Sequence, residues 1–422
     1  MTWATRQLGV VADLCLGKML DQKKNKGLPR HYLGNANVRW GNFDLDNLKD
    51  MRFEERELDR YGLRHGDIVM CEGGEPGRCA LWTDQVPGIM IQKALHRIRV
   101  KSGVDSRFLY YSLSLSGKTG LLDAYFTGAT IKHLPGEQLA KIEVEIPPLE
   151  TQRRIASILG AYDDLIEVNR RRVAVLEEMA RGLFEEWFVR FRFPGHESTP
   201  ILDTPDGPLP EGWKNAVVSD VFSLGRGRSY KSSELAESGG MPFVNLKCIL
   251  RDGGFKASGL KRYTGEYKQG HVVVRGDIVM AVTDMTQDRR IVGRVGRIPL
   301  LSEPAAVISM DLVKVQPTPE VEPSYLYCWL RYSDFGSTAA QYANGANVLH
   351  LSPKAIADLP FKLPSKPLIR MYSSIVEPLI QLAEVLETGS QNLATARDLL
   401  LPRLMSGQLS VADAERELDK VS

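Results

Sequence analysis

The chain has little of what marks secreted, metal-binding or membrane proteins. Its 422 residues include five cysteines, Cys15, Cys71, Cys79, Cys248 and Cys328, and no two form a Cys-x-x-Cys pair. An odd, scattered set points away from a disulfide framework or a zinc site and leaves inert thiols. The seven histidines lack metal-ligand spacing. No run of about 18 apolar residues occurs, so no membrane span is expected. The opening MTWATRQLGVVADLCLGK has Asp13 inside its apolar part and no basic start or small-residue cleavage site. A cytoplasmic location is the expectation. Net charge is only +2, so any surface for a polyanion must be local, with acidic faces elsewhere.

Catalytic motifs are missing too. Gly117-Lys118-Thr119 would need a glycine five residues before its Gly-Lys to form a phosphate loop, and Ser112 stands there. Gly225-Arg226-Gly227 lacks the third glycine of a dinucleotide loop. Pro205-Asp206, Glu211 and Lys214 faintly match a nuclease motif but lie in a Pro-rich stretch with the wrong Glu–Lys spacing. No Asp-Pro-Pro-Tyr or Asn-Pro-Pro-Phe for amino methylation occurs, nor a glycine-rich loop for S-adenosylmethionine. No catalytic residue, metal site or bound cofactor is expected for this chain.

What the chain does have is a repeat. TGATIKHLPGEQLAKIEVEIPPL (Thr127–Leu149) returns as NGANVLHLSPKAIADLPFKLPSK (Asn344–Lys366), with Gly128/Gly345, Ala129/Ala346, His133/His350, Leu134/Leu351, Ala140/Ala357 and Pro147/Pro364 identical at an offset of 217. GDIVM occurs at Gly66–Met70 and Gly276–Met280, and Trp3 matches Trp213, both at an offset of 210. Phe108-Leu109-Tyr110 matches Tyr325-Leu326-Tyr327 at 217. Order is kept and the offset slips once, by seven residues, so one loop differs in length. A period near 200 residues is too long for a solenoid and implies two similar domains in tandem. Segments rich in Val, Ile, Tyr and Phe (Asp67–Met70, Ile89–Ile91, Val272–Val274, Asp277–Val282 and Val307–Val315) read as strands of mostly-β domains. Helical patches follow near Ser106–Gly117 and Ser324–Tyr332.

After each closing stretch the period turns helical. In the first copy Ile155, Tyr162, Leu176 and Leu183 lie on a column of sevens. Ile158, Leu165 and Met179 are taken as the second seam position, with Leu159, Ile166, Val173, Ala180 and Trp187 beside them. Arg153, Arg154, Asp163, Asp164, Arg170 and Arg171 fill the other faces. In the second copy the same reading selects Leu379, Leu386, Leu393 and Leu400, with Ile375 and Leu382 as the second position. Each pattern predicts a helix of about 35 residues, roughly 50 Å long, with a coiled-coil seam. Pro378 and the weak formers Glu387-Thr388-Gly389-Ser390 predict a bend or soft middle in the second. Matching seams within one chain would most simply pack against each other; the alternative is that each helix covers only its own domain's sheet. The expected organisation is a first domain at 1–148, helix at 149–192, Pro/Gly-rich linker at 193–212, second domain at 213–365, helix at 366–408 and tail at 409–422. The fold class is α+β, with two mostly-β domains, each followed by a long helix, and a pseudo-two-fold internal repeat.

Basic, amide-bearing and glycine-rich loops recur at like places. In the first domain these are Lys23, Lys24 and Lys26, then Arg30, Asn35 and Asn37, then Gly74 and Arg78 after the GDIVM strand, then Thr130 and Lys132. In the second they are Arg226, Arg228, Tyr230 and Lys231, then Asn245 and Lys247, then Thr283, Thr286, Gln287, Arg289 and Arg290 after GDIVM, then Asn347. Lys and Arg neutralise phosphates, Arg reads guanine, and Asn or Gln reads adenine in the major groove. Glycine lets backbone amides approach phosphate. His133 and His350, among apolar neighbours, read instead as structural.

GATIKHL and GANVLHL, Ile146–Leu149, TQRRIASILGAYDDLIEVNRR (Thr151–Arg171), LFEEWF (Leu183–Phe188), LPEGWK (Leu209–Lys214) and LLPRLMSGQL (Leu400–Leu409) together resemble the specificity subunits of type I restriction–modification systems. The Pro378–Gly389 region matches that pattern poorly, and the start is shorter than the usual Leu-Pro-x-Gly-Trp opening. The resemblance implies that each β domain is a target recognition domain reading half of a bipartite, asymmetric site in double-stranded DNA. It implies that the helices form an antiparallel coiled-coil spacer on which two modification subunits dock. Those would use S-adenosylmethionine to methylate adenine, and restriction subunits would add ATP- and Mg-dependent translocation and cleavage. The readings that compete with it are an enzyme acting alone, such as a methyltransferase or nuclease, against which the missing motifs speak, and a non-catalytic adaptor whose β domains bind proteins.

Overall fold

The computed structural model describes residues 3–19, 21 and 25–419. Two compact units emerge, one formed by Met1–Glu167 with Asn392–Ser422, the other by Val168–Gln391. Each unit therefore holds one β domain, part of the first long helix and part of the second.

In the first unit four antiparallel strands run in the order Ala12–Leu16, Leu95–Val100, Ile68–Cys71, Cys79–Leu81. Ile68 of the GDIVM strand pairs with Ile98 on one side and Leu81 on the other. All four residues of Ile68–Cys71 are buried, as a strand covered on both faces must be. A second sheet holds Lys49–Phe53, Leu28–Leu33 and Met90–Ile91. The helix Ser106–Lys118 is capped by Asp105, whose carboxylate accepts from the Phe108 amide. The closing strand Glu143–Ile146 returns to pair with Ala4–Gln7.

The second unit repeats this plan. Its four-stranded sheet runs Phe222–Arg226, Leu312–Pro317, Ile278–Ala281, Val295–Arg297, and its closing strand Pro360–Leu363 pairs with Lys214–Val217. A second sheet of five strands centres on Met241–Val244. The segment expected as one strand, Val307–Val315, is two: Ala305–Ile308 and Leu312–Pro317 belong to different sheets. The linker also contains a hairpin, Ile201–Thr204 with Gly207–Pro210.

The register locates the length change. Val69 pairs with Ala80, and its repeat-mate Val279 pairs with Gly296. The offset thus grows from 210 (279 − 69) to 216 (296 − 80), so six of the seven extra residues lie in the loop after the GDIVM strand. The repeat also explains a glycine pair. A Cβ at Gly17 would sit 2.4 Å from the Gln92 carbonyl oxygen, and one at Gly227 would sit 2.0 Å from that of Ser309. Gly227 serves strand packing rather than a nucleotide.

The long helices are Leu149–Phe184, continued by a π-helical turn at Glu185–Val189, and Lys366–Met405. The second runs without interruption through Pro378 and Glu387–Ser390, against the expected soft middle. They pair antiparallel: Asp163 meets Arg397 in the first unit, and the Tyr372 hydroxyl donates to the Ala180 carbonyl at 3.1 Å in the second. The second seam position differs from expectation. Leu165, Ile375 and Leu382 are 51%, 43% and 48% exposed and face outward. Ile155, Leu159, Tyr162, Ile166, Asn169, Val173, Leu176, Ala180, Leu183 and Trp187 are all buried or half-buried, and so are their ten mates 217 residues on, from Tyr372 to Leu404. A column of sevens accepts a partner column either three or four residues later, and in the first copy both are largely apolar. Packing selects the later one.

Candidate nucleic-acid interface

Each β domain uses polar side chains to fasten itself to helix. In the first unit the Tyr111 hydroxyl donates to Asp163 at 2.5 Å, and Arg107 grips Asp164 with contacts of 3.2 and 2.9 Å. These two aspartates were expected on a solvated face and instead hold the domain's helix. In the second unit Arg331 pairs with Glu177 at 2.7 Å, while Arg297 spans Glu384 and Glu377 at 2.7 and 2.6 Å. Phe188 lies with its ring centroid 4.9 Å from both Tyr325 and Tyr372, tying the π-turn to the domain.

On this base the loops after the GDIVM strands meet the closing loops. Gly73 bridges His133 in the first unit, and Thr283–Asp284 pairs with Leu349–His350 in the second, Thr283 facing His350. Gly73 and Thr283 share the offset of 210, and the histidines share 217, so one bridge is built twice. The bridge sets two loops side by side. In the first unit Thr127–His133 is exposed throughout. In the second Met285–Arg290 and Asn344–Asn347 are exposed. Thr130, Lys132, Thr286, Gln287, Arg289, Arg290 and Asn347 therefore lie on outward loops. Gln287 donates to the Ala346 carbonyl at 3.0 Å, Lys132 pairs with Asp123 at 3.3 Å, and Arg290 with Asp288 at 3.3 Å.

Other candidates serve the scaffold. Asn35 donates to the Gly73 carbonyl and accepts from Arg78 at 2.7 Å, and Arg78 also pairs with Glu75 at 2.7 Å. Gly74, at φ +74°, follows in a turn that a side chain would strain. Asn37 accepts from the Gly34 amide and donates to the Asp44 carbonyl, both at 2.9 Å. Asn245 is 7% exposed, donating to the Gly259 carbonyl at 2.8 Å and capping Lys247. Arg228 donates to the Tyr263 hydroxyl and the Glu266 carbonyl, and Tyr230 packs edge-on against Phe243. Thr283 is 3% exposed. Asn245 and Thr283 are thus buried, and Asn35, Asn37 and Arg78 spend hydrogen bonds on shaping the loops, while Arg228 and Tyr230 stay half-buried and Gly74 exposed. Lys26, Arg226, Lys231 and Lys247 are exposed, Arg30 is half-buried, and Lys23 and Lys24 lie outside the described residues.

His133 and His350 are themselves exposed, correcting the apolar setting expected for them. Their backbones do the structural work, exchanging hydrogen bonds with Thr127 and Asn344. Two shaping residues went unnoticed in the sequence. His96, 1% exposed, places Nε2 2.8 Å from the Leu134 carbonyl, and burial lowers its pKa, keeping the ring neutral. Asp284 folds the longer loop. Burial alone would raise its pKa, but hydrogen bonds from Ile291, Thr286 and Val292 hold it below the usual carboxylate range. An Asp opening a polar loop is the one signal that could have marked it. Among the described residues no cluster of three or more His, Cys, Asp or Glu could hold a metal, and no helix is long and apolar enough to cross a membrane.

Relatives place this geometry. The family model for the type I restriction modification DNA specificity domain matches residues 2–178 and again 210–393. The MjaIX specificity subunit of Methanocaldococcus jannaschii is 25% identical over 74% of this chain and 71% of its own length. The HindI specificity subunit of Haemophilus influenzae is 19% identical over 87% and 90%. The crystal structure of the S subunit from M. genitalium, 19% identical and covering 96% of both chains, has the same fold with a TM-score of 0.55. Two matched domains, two copies of one loop bridge and a pair of antiparallel helices thus lead to one conclusion: the chain belongs to the type I restriction–modification DNA specificity family, as a specificity subunit with two recognition domains.

Proposed function

We propose that each recognition domain reads one half of a bipartite, asymmetric DNA site through the loop after its GDIVM strand and the adjoining closing loop. The bridge repeated at Gly73–His133 and Thr283–His350 carries this reading, because it places outward polar loops at the same point of both domains. Exposed Arg, Lys and Gln on them match phosphate neutralisation and base-edge contact. The longer, Asp284-organised loop gives the second domain a different reading surface, as an asymmetric site requires.

The helices, roughly 50 Å long, hold the half-sites about one to one and a half turns of DNA apart. Two modification subunits dock on the helical scaffold and methylate adenine with S-adenosylmethionine, and restriction subunits supply ATP- and Mg-dependent cleavage. This chain contributes sequence choice and assembly in the cytoplasm and makes no bond itself. Mapping methylated adenines in the host genome with and without this gene tests the reading. A bipartite motif that vanishes with the gene is expected; an unchanged methylation map refutes it. A chain binding only protein would also show no salt-dependent preference for one duplex over its scramble.

A further inference from the structure

The repeat places one cation twice and neutralises it in only one copy. Lys18 and Arg228 are mates at the offset of 210. Each lies just past the first strand of its four-stranded sheet and bridges a parallel neighbour, Gln92 or Ser309. Each carbonyl accepts an amide at 2.8 Å, from Lys93 and Met310 respectively. In the first domain Lys18 is 3% exposed, its Nζ pairing with Glu57 at 2.6 Å and donating to the Arg52 carbonyl at 2.8 Å. That charge is satisfied inside the fold.

In the second domain the mates of Glu57, Leu58 and Tyr61 are Tyr267, Lys268 and His271. One carboxylate is lost and two basic side chains are gained. The frame around them is shared: Gly62 bridges Met90, and its mate Val272 pairs with Val307. Arg228 Nε donates to the Tyr263 hydroxyl at 3.1 Å and the Glu266 carbonyl at 2.9 Å, yet the side chain stays 34% exposed. Glu234 replaces Glu57 poorly. Its Oε1 is 4.0 Å from Arg228 Nη2, and its Oε2 already accepts from the Lys231 amide at 2.6 Å. His271 Nδ1 accepts from the Lys268 amide at 3.2 Å, and partial burial, then the charges of Arg228 and Lys268, lower its pKa. Cations gathered in this way repel one another, and an anion between them removes the cost.

The place of the cluster in the sheet indicates which anion. Arg226 pairs with Val313 on one side of the strand Leu312–Pro317, and Ala281 pairs with Leu312 on its other side. The chain therefore leaves the sheet at the same end after both, toward Arg228 in one case and toward the Thr283–His350 bridge in the other. Two strand spacings, about 10 Å, separate the two exits, which is about three base pairs along a duplex. We propose that Arg228, Lys268 and His271 clamp a backbone phosphate of the second half-site, and that the Lys18–Glu57 pair leaves the equivalent place in the first domain without a clamp. The inference rests on the DNA reading proposed above. The reading loops choose bases, and the clamp fixes where the second domain stands on the duplex.

The test uses the full chain and a fluorescent duplex carrying the bipartite motif that methylation mapping supplies. A neutral methylphosphonate replaces one phosphate at a time. At one position of the second half-site it weakens binding about tenfold. Lys268→Gln/His271→Gln weakens binding of the unmodified duplex by a similar factor, lowers the salt slope by about one and abolishes the penalty at that position. Gln at position 271 keeps an acceptor for the Lys268 amide, and Lys268→Gln alone, at an exposed position, repeats the test without touching that turn. Variants that keep both the slope and the penalty overturn the clamp. Inorganic phosphate that binds the DNA-free chain with a submillimolar Kd, and fails to bind the double variant, overturns the backbone assignment in favour of a small phosphate ligand. A wild-type chain that binds the motif and its scramble alike removes the DNA reading and this inference with it.

Discussion

Arg297→Met is the sharpest test of how the second recognition domain is held to helix. Arg297 ends a strand of the four-stranded sheet and reaches Glu384 and Glu377, one heptad apart on the second long helix. Arg297 and Glu384 side chains are 10% and 9% exposed. Removing one partner of a buried pair costs about 3–5 kcal/mol, since the other charge stays desolvated. Here Arg275 remains 3.4 Å from Glu384, and Glu377 is 31% exposed, so the cost falls to about 2–3 kcal/mol. For a unit of this size that lowers Tm by about 4–12 °C.

The pH dependence carries a sign. Burial raises the Glu384 pKa above its ordinary 4.5, and Arg297 and Arg275 pull against that. Losing Arg297 raises it further. A carboxyl with a raised folded pKa binds its proton more tightly when folded, so stability falls as pH climbs from 4.5 through the folded pKa. The variant is therefore damaged more at pH 8 than at pH 5. Urea denaturation at both values measures it, and Arg297→Met/Glu384→Met should recover most of the loss. A cost below about 1 kcal/mol, or one independent of pH, refutes the anchor.

Other expectations follow from the same geometry. Leu159→Ala, at a fully buried seam position, costs about 2–5 kcal/mol, whereas Leu165→Ala, 51% exposed, changes stability by less than about 0.5 kcal/mol; thermal melts of the two compare the rival seams. Asn35→Ala frees the Gly73 carbonyl and Arg78 together, costs about 1–3 kcal/mol, and blurs one half of the methylated motif while sparing the other, as methylation mapping reads. Arg289→Ala/Arg290→Ala weakens DNA binding and flattens its salt dependence by about one to two units of slope. Seven residues inserted beside both Arg172 and its mate Gly389 add about 10 Å of helix and lengthen the unread gap by about three base pairs, leaving both half-sites as they were.

Periodicity and repetition carried most of the architecture. Two copies of GDIVM and of the G-A-x-x-x-H-L stretch announce tandem domains, because a strand covered on both faces and a tight bridge each demand their own residue pattern. Columns of sevens announce the long helices and their pairing for the same reason. Those signals are local and survive without coordinates. What the chain could not declare was the outcome of competition between equivalents. Leu159 and Leu165 are equally apolar, yet one enters the seam and the other is left 51% exposed. Asn35 and Asn245 have the chemistry of base readers, yet neighbours distant in sequence take up their hydrogen bonds. A side chain's chemistry is written in the chain; whether its donors are already spent, and which of two apolar faces is covered, depends on three-dimensional neighbours that only folding brings near.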